Sequence, residues 1–333
     1  MSRYRILITA GVLALLAGIA PAQTETINMS VLNSRRHRIG VTDNPVVGFF
    51  TSADQGATWK HHGWKEYIRT FYTETDPDGV IWSACGNGVL RSTDRGATWR
   101  VTTGWDVTEV LKVKVNPAHP GEVAASTAYG VIITTDGGER WRTTSTGIKR
   151  FFSSDLTWMP GARGGLLAAT EDGLYRSLDR GASWKASGLR GRGIRVVLAD
   201  RRNPKKYWAG TEDDGVYVST DGGVSWHARS AGLTHRTVYA LALDPSDTAI
   251  VYAGTFGGGV YKTIDAGVTW RQCMRGLTNP DVHALVVLSS NPSTVFAGTL
   301  NGGLFKSTDA GQSWEFNSQE DAQVWGLSVG GTK

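Results

Sequence analysis

Short apolar runs recur along the chain at an even spacing, each closed by turn residues. The stretch from Val238 to Trp270 shows the plan. Val238-Tyr239-Ala240-Leu241-Ala242-Leu243 reads as a strand, A, and Asp244-Pro245 turns it. Ile250-Val251-Tyr252-Ala253-Gly254-Thr255 reads as strand B. Phe256-Gly257-Gly258 loops into strand C, Gly259-Val260-Tyr261-Lys262-Thr263, and a polar turn leads into strand D from Trp270. Runs rich in β-branched and aromatic residues, bounded by Gly, Pro and Asp, are strand signals. No amphipathic helical periodicity of useful length appears, so the chain is read as all-β.

The polar turn repeats. Ser52-x-Asp54-x-Gly56-x-Thr58-Trp59 is the first copy and Ser92-x-Asp94-x-Gly96-x-Thr98-Trp99 the second. A degenerate copy reads Thr134-x-Asp136-x-Gly138-x-Arg140-Trp141. Four more are centred on Asp179, Asp221, Asp265 and Asp309, ending at Trp184, Trp226, Trp270 and Trp314. Successive aspartates lie 40, 42, 43, 42, 44 and 44 residues apart. A period of ~40–45 residues with strand-like sequence between is the mark of propeller blades. The fold expected is a single seven-bladed β-propeller of four-stranded antiparallel blades.

Other slots repeat with it. The glycine opening strand C recurs at Gly48, Gly88, Gly130, Gly173, Gly215, Gly259 and Gly303, which implies a backbone constraint. Proline stands in the A–B turn at Pro77, Pro117, Pro160, Pro204, Pro245 and Pro292. The end of strand B carries Thr42, Thr127, Thr170, Thr211, Thr255 and Thr299, and Cys85 fills that slot in blade 2. Cys85 is therefore read as a small packing residue, and Cys85 and Cys273, placed across the ring, as two free thiols. Val324-Trp325-Gly326-Leu327-Ser328-Val329 reads as one more strand A with no turn motif after it. It is expected to complete blade 1 beside a strand around Arg38 to Thr42, leaving no unpaired edge. Ile27 to Leu32 is the competing strand A for that blade.

The first residues read as a leader. Arg3 and Arg5 form a basic segment, Ile6 to Ile19 an apolar run, and Ala20-Pro21-Ala22 an A-x-A cleavage site. Residues 1–22 are thus expected to be a signal peptide and 23–333 the propeller, secreted or periplasmic. No second apolar run approaches the ~20 residues of a membrane span. Removing 22 of the 333 residues leaves 311, about 44 per blade, and takes the net charge from +5 to +3. That charge is weak and no Lys/Arg block stands out, so nucleic acid is not an expected partner.

The turn motif has its own mechanics. Its aspartate and hydroxyl accept hydrogen bonds from nearby backbone N–H groups, its glycine tolerates a left-handed conformation, and its tryptophan buries a large apolar area against the sheet. Calcium is the tempting alternative for Asp54, Asp94, Asp136, Asp179, Asp221, Asp265 and Asp309, but the turns lack the further oxygen ligands and terminal glutamate of a calcium loop. No H-E-x-x-H or short-spaced histidine triad occurs, and Gly257-Gly258-Gly259 precedes a strand rather than a helix. No metal or cofactor is expected.

The seven motifs resemble those of the Asp-box, or bacterial neuraminidase repeat, superfamily. It includes sialidases, two-propeller xyloglucan-type glycosidases, sortilin-like receptors and photosystem II assembly-factor-like propellers. The resemblance covers the whole chain after residue 22, and it implies a fold rather than an activity. It also implies that ligands sit on the face bearing the B–C loops and D–A linkers, over the central channel. The box aspartates belong to the other face. Sialidases carry an Arg-Ile-Pro segment, whereas the nearest match here is Arg38-Ile39-Gly40. Xyloglucan enzymes use a cleft between two propellers, and sortilin-like receptors need more cysteines. Assembly-factor-like propellers match in size and blade number.

On the loop face, Glu171 and Asp172 in one B–C loop and Glu212, Asp213 and Asp214 in the next form a carboxylate group. The linker between them brings Arg190, Arg192 and Arg195. Paired carboxylates can run glycoside hydrolysis, so these five are the candidate catalytic residues. The same sequences also read as ordinary turns with solvent-exposed ion pairs. Arg190, Arg195, Trp64, Trp105 and His235 are the candidate ligand-binding residues, the tryptophans through stacking on sugar rings. The function expected is non-catalytic binding of a protein or carbohydrate ligand, with a glycoside hydrolase as the alternative.

Overall fold

The computed structural model describes residues 25–36, 46–62 and 68–330. These residues form seven four-stranded antiparallel sheets, each a blade of one propeller. The leader lies outside them, as do Arg38 to Thr42 and Trp64. Blade 6 is built as read, from Val238–Leu243, Val251–Thr255, Gly259–Thr263 and Arg271–Cys273. The seven glycines that open strand C all have positive φ, from 68° at Gly259 to 127° at Gly130, a region closed to most L side chains.

Blade 1 closes the ring. Its innermost strand is the C-terminal Ala322–Gly330, which pairs with Thr26–Ser34 and so joins the two ends of the chain in one sheet. Thr26–Ser34 pairs in turn with Gly48–Ser52, followed by Lys60–His62. This corrects the partner expected for the closing strand: strand B is Thr26–Ser34 rather than a segment around Arg38 to Thr42. It also rules out Ile27 to Leu32 as strand A. Val31 pairs with Gly48 and holds the slot that Cys85 holds beside Gly88. The reading failed because sixteen residues separate Val31 from Gly48, against two between Cys85 and Gly88, so counting back from Gly48 by the usual spacing fell short of strand B.

The hydrophobic core runs along the seams between blades. One cluster joins Trp208 and Val216 of blade 5 to Leu241, Val251 and Tyr261 of blade 6. Strand B aromatics Trp82, Trp208, Tyr252 and Phe296 are fully buried there. The motif tryptophans cross these seams. Trp270 Nε1 donates to Arg229 O of the preceding blade at 2.7 Å, and its ring meets Trp208 edge-on with centroids 6.4 Å apart. Trp226, Trp314 and Trp59 donate likewise to Ser187 O, Cys273 O and Asn317 Oδ1. The tryptophan thus stitches blade to blade, beyond pinning its own hairpin. Trp184, Trp270 and Trp314 are buried and the other four are half-buried. The motif glycine is bound by the same seam: a Cβ on Gly56 would stand 2.7 Å from the Phe296 ring.

Inside the box, Ser52 Oγ donates to Asp54 Oδ1 at 2.7 Å and accepts from Gly56 N at 2.8 Å. Thr58 N donates to Asp54 Oδ1 at 2.9 Å and Thr58 Oγ1 to Oδ2 at 2.5 Å. Both carboxylate oxygens are therefore committed to the turn. The Thr58 hydroxyl, its amide and Ser52 hold Asp54 at about 2, and the same groups at Thr98 and Ser92 hold Asp94 at about 2. In the degenerate copy the Thr134 hydroxyl and the Arg140 amide still reach Asp136 Oδ1, at 2.8 and 3.0 Å, but among the described residues no hydroxyl reaches Oδ2. Restoring it with Arg140→Thr is expected to stabilise the fold slightly, as one added solvent-exposed hydrogen bond does. Urea denaturation reads this directly, and a loss of stability would contradict the mechanism.

Candidate functional site

The B–C loops and D–A linkers meet on one face. Glu212 N donates to Gly193 O at 2.9 Å, Gly215 N to Arg236 O at 2.9 Å and Phe256 N to Thr237 O at 3.0 Å. The carboxylates of the sequence group are tied into this loop fabric. Arg195 pairs with Glu212, and Arg192 Nε with Asp214 Oδ2 at 2.5 Å. Asp172 accepts Gly191 N at 3.1 Å and the Tyr175 hydroxyl at 3.3 Å. Glu171, Asp213 and Arg190 are exposed. His235 is exposed, but its Nδ1 lies 3.0 Å from the Tyr261 hydroxyl and its ring covers Gly258. Trp105 is fully exposed, and Asp106 beside it lines a groove of about 180 Å³ between the outer strands of blades 2 and 3.

A second set of residues was not legible as a site. In every blade the register of strand A slips by one residue at its start, against Thr70/Tyr72, Val110/Lys112, Ser153/Asp155, Ile194/Val196, Val238/Ala240 and Val282/Ala284. In blade 1 the same slip skips Trp325. A bulge of this kind re-aims the extra side chain. The seven bulged residues are Phe71, Leu111, Ser154, Arg195, Tyr239, His283 and Trp325, one per blade at the loop-face end of the innermost strand. They meet across the blades. Tyr239 stacks on His283 with centroids 4.2 Å apart, His283 lies 4.5 Å from Trp325, and Trp325 meets Phe71 edge-on at 6.1 Å. Arg195 lies over Tyr239 at 5.9 Å. An arc of aromatic staves thus runs from blade 6 to blade 2 around the mouth of the channel, with Arg195 of blade 5 at its end. Plain alternation along the strand cannot show it, because the bulge breaks the alternation at that residue.

The arc carries unspent polar capacity. His283 Nε2 and Arg195 Nε are buried without a hydrogen-bond partner among the described residues. Burial pushes His283 down to about 4; Asp281 opposes this and the Arg195 charge adds to it. The imidazole is therefore neutral at pH 7, with one donor and one acceptor nitrogen. Just below, Lys112 lies over the Tyr72 ring at 4.1 Å and 4.0 Å from Asp155, and Lys114 pairs with Glu74 at 3.2 Å. Each of these inner charges is matched by an opposite one, as burial requires.

The histidine has a consequence for stability. Its folded value lies below the ordinary 6.5, so the unfolded chain takes up the proton first and stability falls as pH drops from 6.5 towards 4. His62, pushed down to about 4 by burial and then by Lys60, acts in the same window. The box carboxylates act in the next one: their stabilisation is full above the ordinary 3.8 and is lost as pH falls towards 2. Urea midpoints measured across pH are expected to decline in these two stages. His283→Phe should reduce the first, leaving the share of His62, and leave the second unchanged. An unaltered first stage would refute the assignment.

Residues 217–228 match the BNR/Asp-box repeat family. No curated protein sequence matches the chain. Among solved structures, the GH74 enzyme of Niastella koreensis is similar at a TM-score of 0.71 and 15% identity, over 89% of this chain and 56% of that one. An ancestral GH74 enzyme is similar at 0.62 and 21% identity, over 78% of this chain and 38% of that one. The chain therefore spans about half the length of these enzymes or less. YCF48 bound to D1 peptide is similar at 0.60 and 18% identity, over 78% of this chain and 92% of that one. At these identities the likeness concerns the fold. With seven stitched blades and a box at every outer turn, the chain is a seven-bladed β-propeller, and its fifth blade carries a match to the BNR/Asp-box repeat.

Proposed function

We propose that the chain is an exported, non-catalytic binding module that takes a protein segment or a glycan at the loop-face mouth of its channel. The observation carrying this reading is the bulged arc of Arg195, Tyr239, His283, Trp325 and Phe71. It sets apolar ring surface beside two buried nitrogens without partners, the combination of apolar wall and few polar groups that binding sites show. The rim carboxylates favour binding over catalysis, since Glu212 and Asp214 are held by arginines and Asp172 by turn bonds. YCF48, a propeller of similar span, is a structure with a bound peptide.

The similarity to GH74 enzymes supports a second reading, glycoside hydrolysis by carboxylates at the mouth. A glycan array, a peptide library and a panel of chromogenic glycosides separate the two. Saturable binding without turnover is expected, weakened at least about tenfold by Trp325→Ala, the loss of one anchor aromatic. Glu171→Gln with Glu212→Gln is expected to weaken binding while preserving the melting temperature. Turnover that depends on Glu171, Asp172, Glu212, Asp213 or Asp214 would establish the enzyme and defeat the module.

A further inference from the structure

The opposite face, formed by A–B turns and Asp-boxes, carries an unexplained surface. Leu178, Val224, Ile264 and Val268 are exposed by 59, 60, 68 and 54%. All four occupy the x positions of boxes in three consecutive blades, 4, 5 and 6. Blades 2, 3 and 7 have Thr93 and Ala97, Thr135 and Glu139, and Thr308 and Gln312 at the same positions. The x positions join the box bonds only through their backbone, as Val224 N does to Asp221 Oδ1 at 3.0 Å, so the turn itself does not call for large apolar side chains there.

Cations lie beside them. The A–B turn of blade 5 reads Arg201-Arg202-Asn203-Pro204-Lys205-Lys206, a block that corrects the expectation of none. Gly222 N donates to Lys205 O at 2.9 Å, which docks the box of Val224 on this turn. Arg202 reaches Pro245 O at 3.3 Å and Lys206 reaches Thr248 O at 3.3 Å, both in the A–B turn of blade 6. Ala266 N donates to Ala249 O at 3.0 Å and docks the box of Ile264 and Val268 on that same turn. Arg176 of blade 4 bonds Gly222 O at 3.2 Å. The apolar tips and the cations therefore form one continuous surface. Asp179, Asp221 and Asp247 are exposed among them, but the exposed Arg201, Arg202, Lys205 and Lys185 outnumber these, and the box carboxylates are engaged by their own turns. Asp221 spends both oxygens on Ser219 and Ser225, Asp265 does the same with Thr263 and Thr269, and Asp200 and Asp244 are buried.

We propose that this face of blades 4 to 6 is a docking surface for an anionic lipid bilayer. Equivalent turns of neighbouring blades emerge at one level, so the apolar tips present a broad ridge rather than a groove for a single side chain. Apolar side chains that enter the headgroup boundary, flanked by Lys and Arg that meet lipid phosphate, are the two elements of peripheral membrane attachment. Large apolar side chains gathered on adjacent turns also mark an interaction site, where scattered ones would not.

Flotation of the full chain with phosphatidylglycerol–phosphatidylcholine vesicles tests this. Binding is expected to weaken about tenfold or more on phosphatidylcholine alone and to fall with added salt. Arg201→Gln with Lys205→Gln should weaken binding to anionic vesicles. Leu178→Ser, Val224→Ser, Ile264→Ser and Val268→Ser together should abolish it. All six positions are exposed, so an unchanged melting temperature confirms that each variant is folded. Ligand binding at the channel mouth, on the other face, should be unaffected. Absence of flotation with anionic vesicles, or flotation that either variant leaves unchanged, overturns the proposal. Retention on an acidic protein without flotation would give the surface to a protein partner and overturn it equally.

Discussion

Truncation after Asp321 is expected to leave a chain without a cooperative melting transition. The deleted strand is the innermost of blade 1, and it buries Ala322, Val324 and Leu327. It also covers Ile27, Met29 and Val31, which are fully buried only while it is present. Losing two or three large buried side chains and uncovering three more removes about 5 kcal/mol or more of apolar burial. A domain holds only about 5–15 kcal/mol in total. The loss also bares the edge of Thr26–Ser34 through the middle of the ring. Far-UV and near-UV circular dichroism on heating measure the outcome. A truncated chain that melts at the parent temperature would show that the ring does not depend on this strand.

The seam tryptophans are expected to be the costliest single positions. Trp270→Ala should destabilise by about 3–5 kcal/mol, the usual cost of deleting a buried aromatic, since Trp270 is 3% exposed and packs edge-on against Trp208. Trp270→Phe keeps much of that packing and loses the bond to Arg229 O, about 1 kcal/mol or slightly more. Trp99 is the internal control. Its Nε1 bonds Gly96 O of its own turn at 3.2 Å and it is half-buried. Its removal should cost clearly less, about half as much or below on the burial it makes. Urea denaturation of the three variants decides this. Equal losses at Trp270 and Trp99 would mean that blade-to-blade stitching contributes nothing beyond burial.

Much of this architecture is legible without coordinates. The box is a local device: Ser52, Asp54, Gly56 and Thr58 bond one another within one turn. A local device leaves a local signature, and its spacing of 40 to 44 residues counts the blades. The glycine opening strand C is legible for the same reason, since its positive φ constrains its own residue type. The C-terminal strand could be picked out because its apolar pattern repeats that of the other innermost strands. Its partner could not, because the sixteen residues between Val31 and Gly48 break the slot spacing that the reading relied on.

Other features required the folded ring. The contact of Tyr239 with His283 and of His283 with Trp325 joins residues about 40 apart, and it depends on a bulge that alternation hides. The carboxylates were legible as a group, but not that Arg195 and Arg192 would engage Glu212 and Asp214. The apolar tips of blades 4 to 6 are isolated turn positions in the sequence and become one surface only where neighbouring boxes and A–B turns dock together. The sequence by itself determined what each blade is, because hydrogen bonds within a turn and pairing between adjacent strands depend on near neighbours in the chain. The tertiary structure decided what the blades present jointly, because closing the ring sets side by side residues whose separation in sequence carries no local signal.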